Sequence, residues 1–320
     1  MSDFSPTEAA LEGLRVSRER PTAILWWWAA YIVFNVVQVG VSALTPFRRF
    51  DDLLPALQTA WQAALAHPND AAVMSRYTDL AEQAAPGLFL FAALGLAVYL
   101  ILSTAALRAV LRPADQAFGY LRMSLDELRQ FGLALVAFAA FMLYAFLISR
   151  LLALAIWGLG AVVPAPALGL AAFIIIPLAF LYPAVRLSLA PALTFADRRI
   201  SLLRAWSLTR GRFWPLFGAY LIALTIAAVL WLAVSTLFVL FLLATGSPLK
   251  PPVLHGLAGL LSPAALLTLV VSSLLTALVG VIVNAPIAAA FRQLSEAGPT
   301  PKPTLGPPPA PRSGANSPWG

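Results

Sequence analysis

Long apolar runs alternate with short polar, arginine-rich segments along the 320 residues of this chain. Six runs are long enough to cross a membrane as helices, because about 20 residues span the hydrocarbon core. They are 23–44, 87–109, 131–157, 167–189, 214–244 and 263–290. The pattern predicts an all-α, polytopic membrane protein whose six transmembrane helices form three hairpins, with a membrane domain over residues 23–295.

The first apolar run, 23–44, allows two interpretations. Three consecutive tryptophans, 26–28, follow Arg20 at the depth where aromatic side chains mark a membrane interface. A cleaved signal peptide ending at 41–43 is the alternative. The run is longer than the apolar region of a usual signal peptide, and a long segment with acids precedes it, so we expect a retained membrane anchor.

Residues 1–22 are predicted to form an amphipathic helix on the cytoplasmic surface. Ser5 stands at the N-cap, Pro6 at the first helical position and Glu8 at the third, which is a capping box. Apolar residues follow at helical spacing, namely Ala10, Leu11 and Leu14. A frayed polar terminus is the alternative. Similar spacing predicts a second interfacial helix over 115–129. Its apolar face carries Phe118, Leu121, Leu125 and Leu128.

Residues 46–85, named the polar hairpin below, form a water-exposed insert between the first two spans. Two sets of apolar residues at helical spacing predict two helices on the outer side, with a break at 67–70. The sets are Leu54, Leu57, Trp61 and Leu65, then Val73, Tyr77, Leu80 and Ala84. As the longest polar insert, it is the best candidate for contact with a protein partner. The alternative is a cap that only covers the bundle.

Composition supports a membrane protein and gives it an orientation. The chain is 60% hydrophobic and 11% charged, with a mean hydropathy of +0.83, which is more apolar surface than a soluble core can bury. Of its 21 basic residues, 16 fall on one side of the predicted spans and 4 on the other. Both termini are therefore expected in the cytoplasm. The excess of arginine over lysine suggests a bacterial genome, so we expect a bacterial inner (plasma) membrane.

The most basic segment lies between the fourth and fifth spans. Its arginines are Arg198, Arg199, Arg204, Arg210 and Arg212. We expect them to hold a short helix, ended by Gly211, against the anionic head groups of membrane lipids. The side chains expected to enter the interface are Ile200, Leu203 and Trp206. Nucleic acid is not an expected partner, because the arginines flank apolar spans.

The same region resembles a known family. The stretch LRAWSLTRGRFWPLFG at 203–218, preceded by RLSLAPA at 186–192, is similar to the signature "RLxLAxPA … AxxxSWxLTRGxFWxLxG". That signature is typical of bacterial six-helix membrane proteins related to the membrane domain of glycerophosphodiester phosphodiesterases. The likeness covers 186–221 and implies six helices and an uncharacterised role. The family's catalytic domain has no counterpart here, since its His-Arg-Gly stretch and its metal-binding acids are missing.

The sequence offers little catalytic chemistry. No Asp or Glu lies within the six predicted spans, which argues against the carboxylate relay of ion-coupled carriers. Cysteine is absent, and the two histidines, His67 and His255, lie in predicted outer loops without a metal-ligand motif. We therefore expect a protein that is not an enzyme and has no catalytic residues, cofactor or metal.

Five polar side chains in or beside the spans are candidates for an intramembrane polar site. They are Asn35, Gln38, Arg150, Arg186 and Asn284. Hydrogen bonding between helices is the more frequent role of such residues, and snorkelling is the more frequent role of an arginine near a helix end. A stripe of small or polar residues in the sixth span predicts the close approach of another helix. It consists of Ser272, Thr276, Gly280 and Asn284.

Two functions of different kinds fit these observations. The first is a non-enzymatic scaffold or assembly factor that contacts membrane lipids and reaches a protein partner through the polar hairpin. The alternative is a transporter or lipid-handling protein with a polar site between helices. A cavity within the bundle would favour the alternative, whereas close packing with an exposed hairpin would favour a scaffold. The tail, 296–320, is rich in Pro, Gly and Ser and is expected to be disordered.

Overall fold

The computed structural model describes residues 4–42, 50–67, 69–159, 163–245 and 261–296. Within these residues all regular structure is helical, and six helices are long and apolar enough to cross a membrane. The all-α, polytopic fold predicted from the sequence is thereby confirmed. The predicted disordered tail lies outside the described residues, apart from Glu296.

Ten α-helices follow one another along the described residues. They are α1 (Pro6–Glu19), α2 (Pro21–Ser42), α3 (Phe50–Ala66), α4 (Ala71–Leu111), α5 (Leu125–Leu159), α6 (Ala165–Leu187), α7 (Ala190–Asp197), α8 (Leu202–Leu208), α9 (Phe213–Ala244) and α10 (Pro263–Glu296). A 3-10 turn, Ala117–Tyr120, lies between α4 and α5. The six predicted spans fall in α2, α4, α5, α6, α9 and α10.

Helix α10 lies at the centre of the bundle. It packs against α1, α2, α4, α7 and α9, because small side chains along one face, and around the helix at 288–290, let other helices come close. These are Ala277, Ala285, Ala288, Ala289 and Ala290, none more than 2% exposed. The stripe predicted from the sequence is displaced from this face. Ser272 and Thr276 are exposed, and of the four stripe residues it is Asn284 that is buried.

Helix α1 packs into the bundle instead of meeting only the membrane surface. Ser5 is its N-cap, as predicted, and the buried face contacts α9 and α10. Gly13 comes so close to α10 that a Cβ atom there would lie 2.5 Å from the Ile282 Cα. Of the predicted apolar face, Ala10 is buried, but Leu11 and Leu14 are exposed and smaller side chains turn inward in their place. The inward side chains include Ala9, Ala10 and Val16.

The interfacial helix predicted over 115–129 is not formed. Residues 118–120 all take positive φ angles, which are incompatible with a right-handed helix. The indole N–H of Trp27 donates a hydrogen bond to the Gly119 carbonyl at 2.6 Å and so ties this turn to α2. Helix α5 begins at Leu125 and continues without a break into the third span.

The polar hairpin consists of α3 and the first part of α4, and its predicted break is confirmed. The Asp70 carboxylate caps α4 by accepting hydrogen bonds from two backbone N–H groups at 2.9 and 3.3 Å. The rings of Trp61 and Tyr77, 5.4 Å apart, join the two helices. Helix α4 then continues through Pro86 as one helix of 41 residues, about 60 Å long at 1.5 Å per residue. The second span is therefore not a separate helix starting at residue 87.

The arginine-rich segment folds as two short helices, α7 and α8, instead of one. Helix α7 ends at Asp197, Arg198 turns the chain with a φ of 55°, and α8 begins at Leu202. Gly211, with a φ of 76°, follows α8 and precedes α9, close to where the sequence placed the helix end. Arg198 and Arg199 therefore lie in the turn between the helices.

Candidate functional site

A cavity of about 310 Å³ lies between α4, α5, α6, α7 and α10 and is partly open to the outside of the bundle. We call it the cavity. It lies near the end of the bundle where basic side chains gather, named the basic end. Those side chains include Arg20, Arg108, Arg112, Arg186 and Arg292. The volume falls within the range of roughly 300–1,000 Å³ that is usual for small-molecule sites.

Small side chains create the space for the cavity. Ala134 and Ala137 on α5 face Ala184 on α6 and Ala190 on α7. Farther from the basic end, larger groups hold α5 and α6 together. They are the Tyr144 hydroxyl, which donates to the Ala179 carbonyl at 2.9 Å, and the rings of Phe141 and Phe180, 5.2 Å apart. The cavity thus lies where small side chains of the two helices, Ala134, Ala137 and Ala184, leave space between them.

Most of the remaining lining is apolar. It includes Leu100, Leu107, Leu133, Leu187, Leu202 and Ile287. Contact between this apolar wall and a hydrocarbon chain is favourable, because it buries apolar surface. An ion without compensating partners would be unfavourable there.

The polar groups at the cavity are bonded to the protein. The Tyr99 hydroxyl donates to Asn284 Oδ1 at 3.2 Å, and Asn284 Nδ2 donates to the Gly280 carbonyl at 2.8 Å. Gln130 Nε2 donates to the carbonyl of Pro191 at 2.8 Å. Because these bonds are internal, an apolar ligand would leave the bonded groups satisfied.

A buried ion-pair cluster, the Arg108 cluster, closes the basic end beside the cavity. Arg108 is 2% exposed, and its guanidinium lies 2.5 Å from Glu127 Oε1. It also donates to the Tyr120 carbonyl and the Ser124 hydroxyl, both at 3.0 Å. The Glu127 carboxylate accepts bonds from the Ser124 N–H and hydroxyl at 2.8 and 2.7 Å. The cluster ties the end of α4 to the start of α5. The sequence signal for this cluster is the Ser-x-x-Glu capping box at 124–127.

Arg186 forms a second buried unit, made from the residues of the resemblance motif. Its guanidinium donates to the carbonyls of Thr209 and Trp206 at 2.8 and 2.7 Å, and so caps the last carbonyls of α8. The Thr209 hydroxyl donates back to the Arg186 carbonyl at 2.9 Å. The Trp206 ring lies 4.8 Å from the guanidinium carbon. This arrangement locks α6 to α8.

The five predicted intramembrane polar residues do not come together. Asn284 lines the cavity, but Asn35 donates to the Tyr31 carbonyl at 2.8 Å and to Ser273 Oγ at 3.4 Å. Arg150 is exposed on α5, with its guanidinium 4.8 Å from the Phe146 ring. Gln38 is half-buried on α2, and Arg186 is bonded to α8. No shared polar site joins the five.

The predicted lipid-contact arginines lie at the basic end in two different states. Arg204 pairs with Asp197. Within the part of the chain that the structure describes, no ion pair is found for the other four. These are Arg198, Arg199, Arg210 and Arg212. Large apolar side chains beside them are exposed: Leu203 is 88% exposed and Trp214 is 75% exposed. This combination of free cations and exposed apolar groups is typical of a membrane interface.

The described residues contain no group of three His, Asp or Glu side chains that could hold a metal ion. Comparison of the chain with known protein families, with characterised proteins and with solved structures finds no match.

Proposed function

We propose that this is a lipid-handling protein of a bacterial inner membrane, which binds the hydrocarbon chain of a membrane lipid in the cavity. One observation supports the proposal, namely a largely apolar cavity of about 310 Å³ that is partly open to the outside of the helical bundle. A chain that enters it contacts leucines and alanines, while the polar groups of Tyr99, Gln130 and Asn284 keep their bonds within the protein.

A polar transport path is less well supported than lipid binding. Of the five candidate polar residues, only Asn284 lines the cavity. Arg150 projects from the exposed side of α5, and Asn35 bonds to α10 at Ser273. A solute path would need these groups to face a common space.

A variant that fills the cavity tests the proposal. Ala137 lines the cavity, so Ala137→Trp should occupy the space with its indole ring. Ala139 is exposed on the other side of α5, so Ala139→Trp is the matched control. Purified full-length protein in detergent is titrated with a fluorescent phospholipid. We expect Ala137→Trp to weaken binding at least about tenfold, which corresponds to roughly 1.4 kcal/mol, and Ala139→Trp to leave it unchanged. Equal binding by both variants and the unaltered protein would refute the cavity as the lipid site.

The orientation of the protein is part of the same proposal. The backbone N–H of Ser5 donates to Gln293 Oε1 at 3.1 Å, and Arg292 pairs with Glu12 at 3.3 Å, so the beginning and end of the described chain lie together. The excess of basic residues at this end supports a cytoplasmic location for both termini.

A scaffold or assembly role is the second candidate function, and the polar hairpin supports it. Three large apolar side chains share one face of α3 and remain exposed. They are Leu54, Trp61 and Leu65, with exposed fractions of 38%, 48% and 62%. Because about half of the 60 Å length of α4 exceeds the hydrocarbon thickness, we propose that this face is presented to a protein partner outside the membrane.

The scaffold role is tested by changing this face alone. Leu54→Gln with Leu65→Gln should abolish in-cell crosslinks from the polar hairpin to a defined protein and leave lipid binding in the cavity unchanged. Leu11→Gln with Leu14→Gln on α1 is the control, because those leucines are similarly exposed at the other end of the bundle. Crosslinks that survive the α3 changes would argue against a partner on this face.

We also propose that the chain is related to the membrane domain of glycerophosphodiester phosphodiesterases. The Arg186 unit supports a structural role for its motif, because Arg186, Trp206 and Thr209 bond to one another and not to the cavity. The motif would then preserve the junction of α6 and α8 and not a catalytic site.

A further inference from the structure

We propose that the lipid bound in the cavity is an anionic glycerophospholipid whose head group lies against Arg198 and Arg199. The inference rests on the proposed function and adds the chemical class of the ligand. One chain of the lipid would enter the cavity, and its phosphate would remain at the rim near the basic end. The two arginines supply the positive charge there.

The turn that carries the two arginines lies beside the cavity. Ile200 follows them directly, and its Cδ1 atom lies 3.3 Å from the position that a Cβ of Gly132 on α5 would take. Leu202, three residues after Arg199, lines the cavity. The chain thus passes from the exposed Arg198 and Arg199 to the cavity wall within three residues, and the proposal places both guanidinium groups at the rim.

These two arginines are exposed and free to bind an anion. The structure gives neither of them an ion pair among the described residues, whereas the acids nearby already have partners. Asp197 pairs with Arg204, and Asp126 with Arg112 and Arg129. A phosphate group would thus meet two unpaired guanidinium groups, which bind phosphate oxygens through directed, charge-assisted hydrogen bonds.

The surroundings of the turn favour a lipid over a soluble anion. Ile200 and Leu203 are 46% and 88% exposed. Exposed aliphatic side chains next to free arginines fit a segment that rests among head groups and upper acyl chains. A soluble phosphate would use the charges but would leave both the apolar side chains and the cavity unoccupied. A glycerophospholipid with net negative charge uses all three features.

The test compares two phospholipids that share acyl chains and differ in head-group charge. Purified full-length protein in detergent is titrated with fluorescent phosphatidylglycerol and with fluorescent phosphatidylcholine at low salt. Each arginine near an anionic head group is expected to contribute about a fivefold increase in affinity. Arg198→Gln with Arg199→Gln should therefore weaken phosphatidylglycerol binding about 30-fold and phosphatidylcholine binding much less, because the choline cation offsets the charge of its phosphate.

Two control variants test whether the effect depends on the position and on the charge of Arg198 and Arg199. Arg210→Gln with Arg212→Gln removes the same charge after α8, and should keep the preference for phosphatidylglycerol. Arg198→Lys with Arg199→Lys keeps the charge in place, and should retain most of the preference, which also shows that the turn tolerates substitution. High salt should reduce the preference of the unaltered protein.

The outcomes separate this inference from the proposed function. If Ala137→Trp abolishes binding of both lipids but the Arg198 and Arg199 changes do not alter the preference, the cavity binds lipid and the head-group site is wrong. If Ala137→Trp affects neither lipid, the proposed function itself fails. If loss of Arg210 and Arg212 lowers the preference equally, the attraction belongs to the whole basic end and the specific site is refuted. Inorganic phosphate should lower phosphatidylglycerol binding no more than chloride at the same ionic strength does; complete displacement by millimolar phosphate would mean that the arginines bind a soluble anion and that the lipid site is wrong.

Discussion

Arginine side chains have three different roles at the basic end, and the sequence shows them only as charges. Arg108 is buried against Glu127 and Ser124, Arg186 caps α8, and Arg198 is exposed without an ion-pair partner among the described residues. Each stands beside an apolar run, as the positive-inside rule expects. Burial and partner choice depend on contacts between helices far apart in the chain, so residue patterns alone could not separate a buried, bonded arginine from an exposed one.

For the buried arginine we predict that Arg108→Met destabilises the protein strongly. The change leaves Glu127, whose side chain is 9% exposed, without its partner, and loss of one member of a buried pair costs about 3–5 kcal/mol. Arg122→Met is the control, because its pair with Asp115 is 3.9 Å long and its side chains are 47% and 42% exposed, and such surface pairs contribute about 0–1 kcal/mol. Thermal unfolding in detergent measures both. Similar midpoints for the two variants would show that the Arg108 cluster does not hold α4 to α5.

The existence of the helices was easier to predict than their lengths or their contacts with one another. The cap of α1 at Ser5 and the break before α4 were readable, because local hydrogen bonds at Ser5 and Asp70 form them. The continuity of α4 through Pro86 could not be predicted, because a proline can either end a helix or be tolerated within a long one. The buried face of α1 was also missed, because it is formed by the small residues around Gly13 that fit against α10, and not by its leucines.

The contact of α1 with α10 gives a prediction for this element. Gly13→Ala should destabilise the protein by about 1–3 kcal/mol, because the new methyl group meets the α10 backbone, which cannot move away as a side chain would. Gly218→Ala on α9 has nothing within 4 Å of its Cβ and should be neutral or stabilising by up to about 1 kcal/mol. Denaturant unfolding in detergent compares the two. A Gly13→Ala protein as stable as the Gly218→Ala protein would mean that α1 does not pack closely on α10.

For the whole molecule, the six-helix architecture was readable and the cavity was not. Apolar runs of membrane length fix the number of spans regardless of how the helices pack. The cavity exists because Ala134, Ala137 and Ala184 happen to face one another where α5 and α6 separate. Alanines of this kind are indistinguishable in the sequence from those that pack tightly on α10. Nothing in the apolar pattern gives the relative placement of two helices.

The topology yields a prediction at the same scale. Reporter domains fused after Gly320 and inserted near Asn69 should lie in opposite compartments, the first in the cytoplasm and the second outside. The basis is the 16 to 4 division of basic residues across the predicted spans. Each site is tested with two reporters, one active only in the cytoplasm and one active only outside, so that their activities give the location of each site. Both fusions in the same compartment would contradict the six-span arrangement.

Native mass spectrometry of the protein released from its own membrane, without added lipid, tests lipid binding in the cavity most directly. The unaltered protein and Ala139→Trp should each retain one phospholipid that survives mild collisional activation, and Ala137→Trp should lose it. The mass of the retained molecule should match an anionic glycerophospholipid. Retention of the same lipid by Ala137→Trp, or no lipid on any of the three proteins, would contradict a lipid-binding cavity.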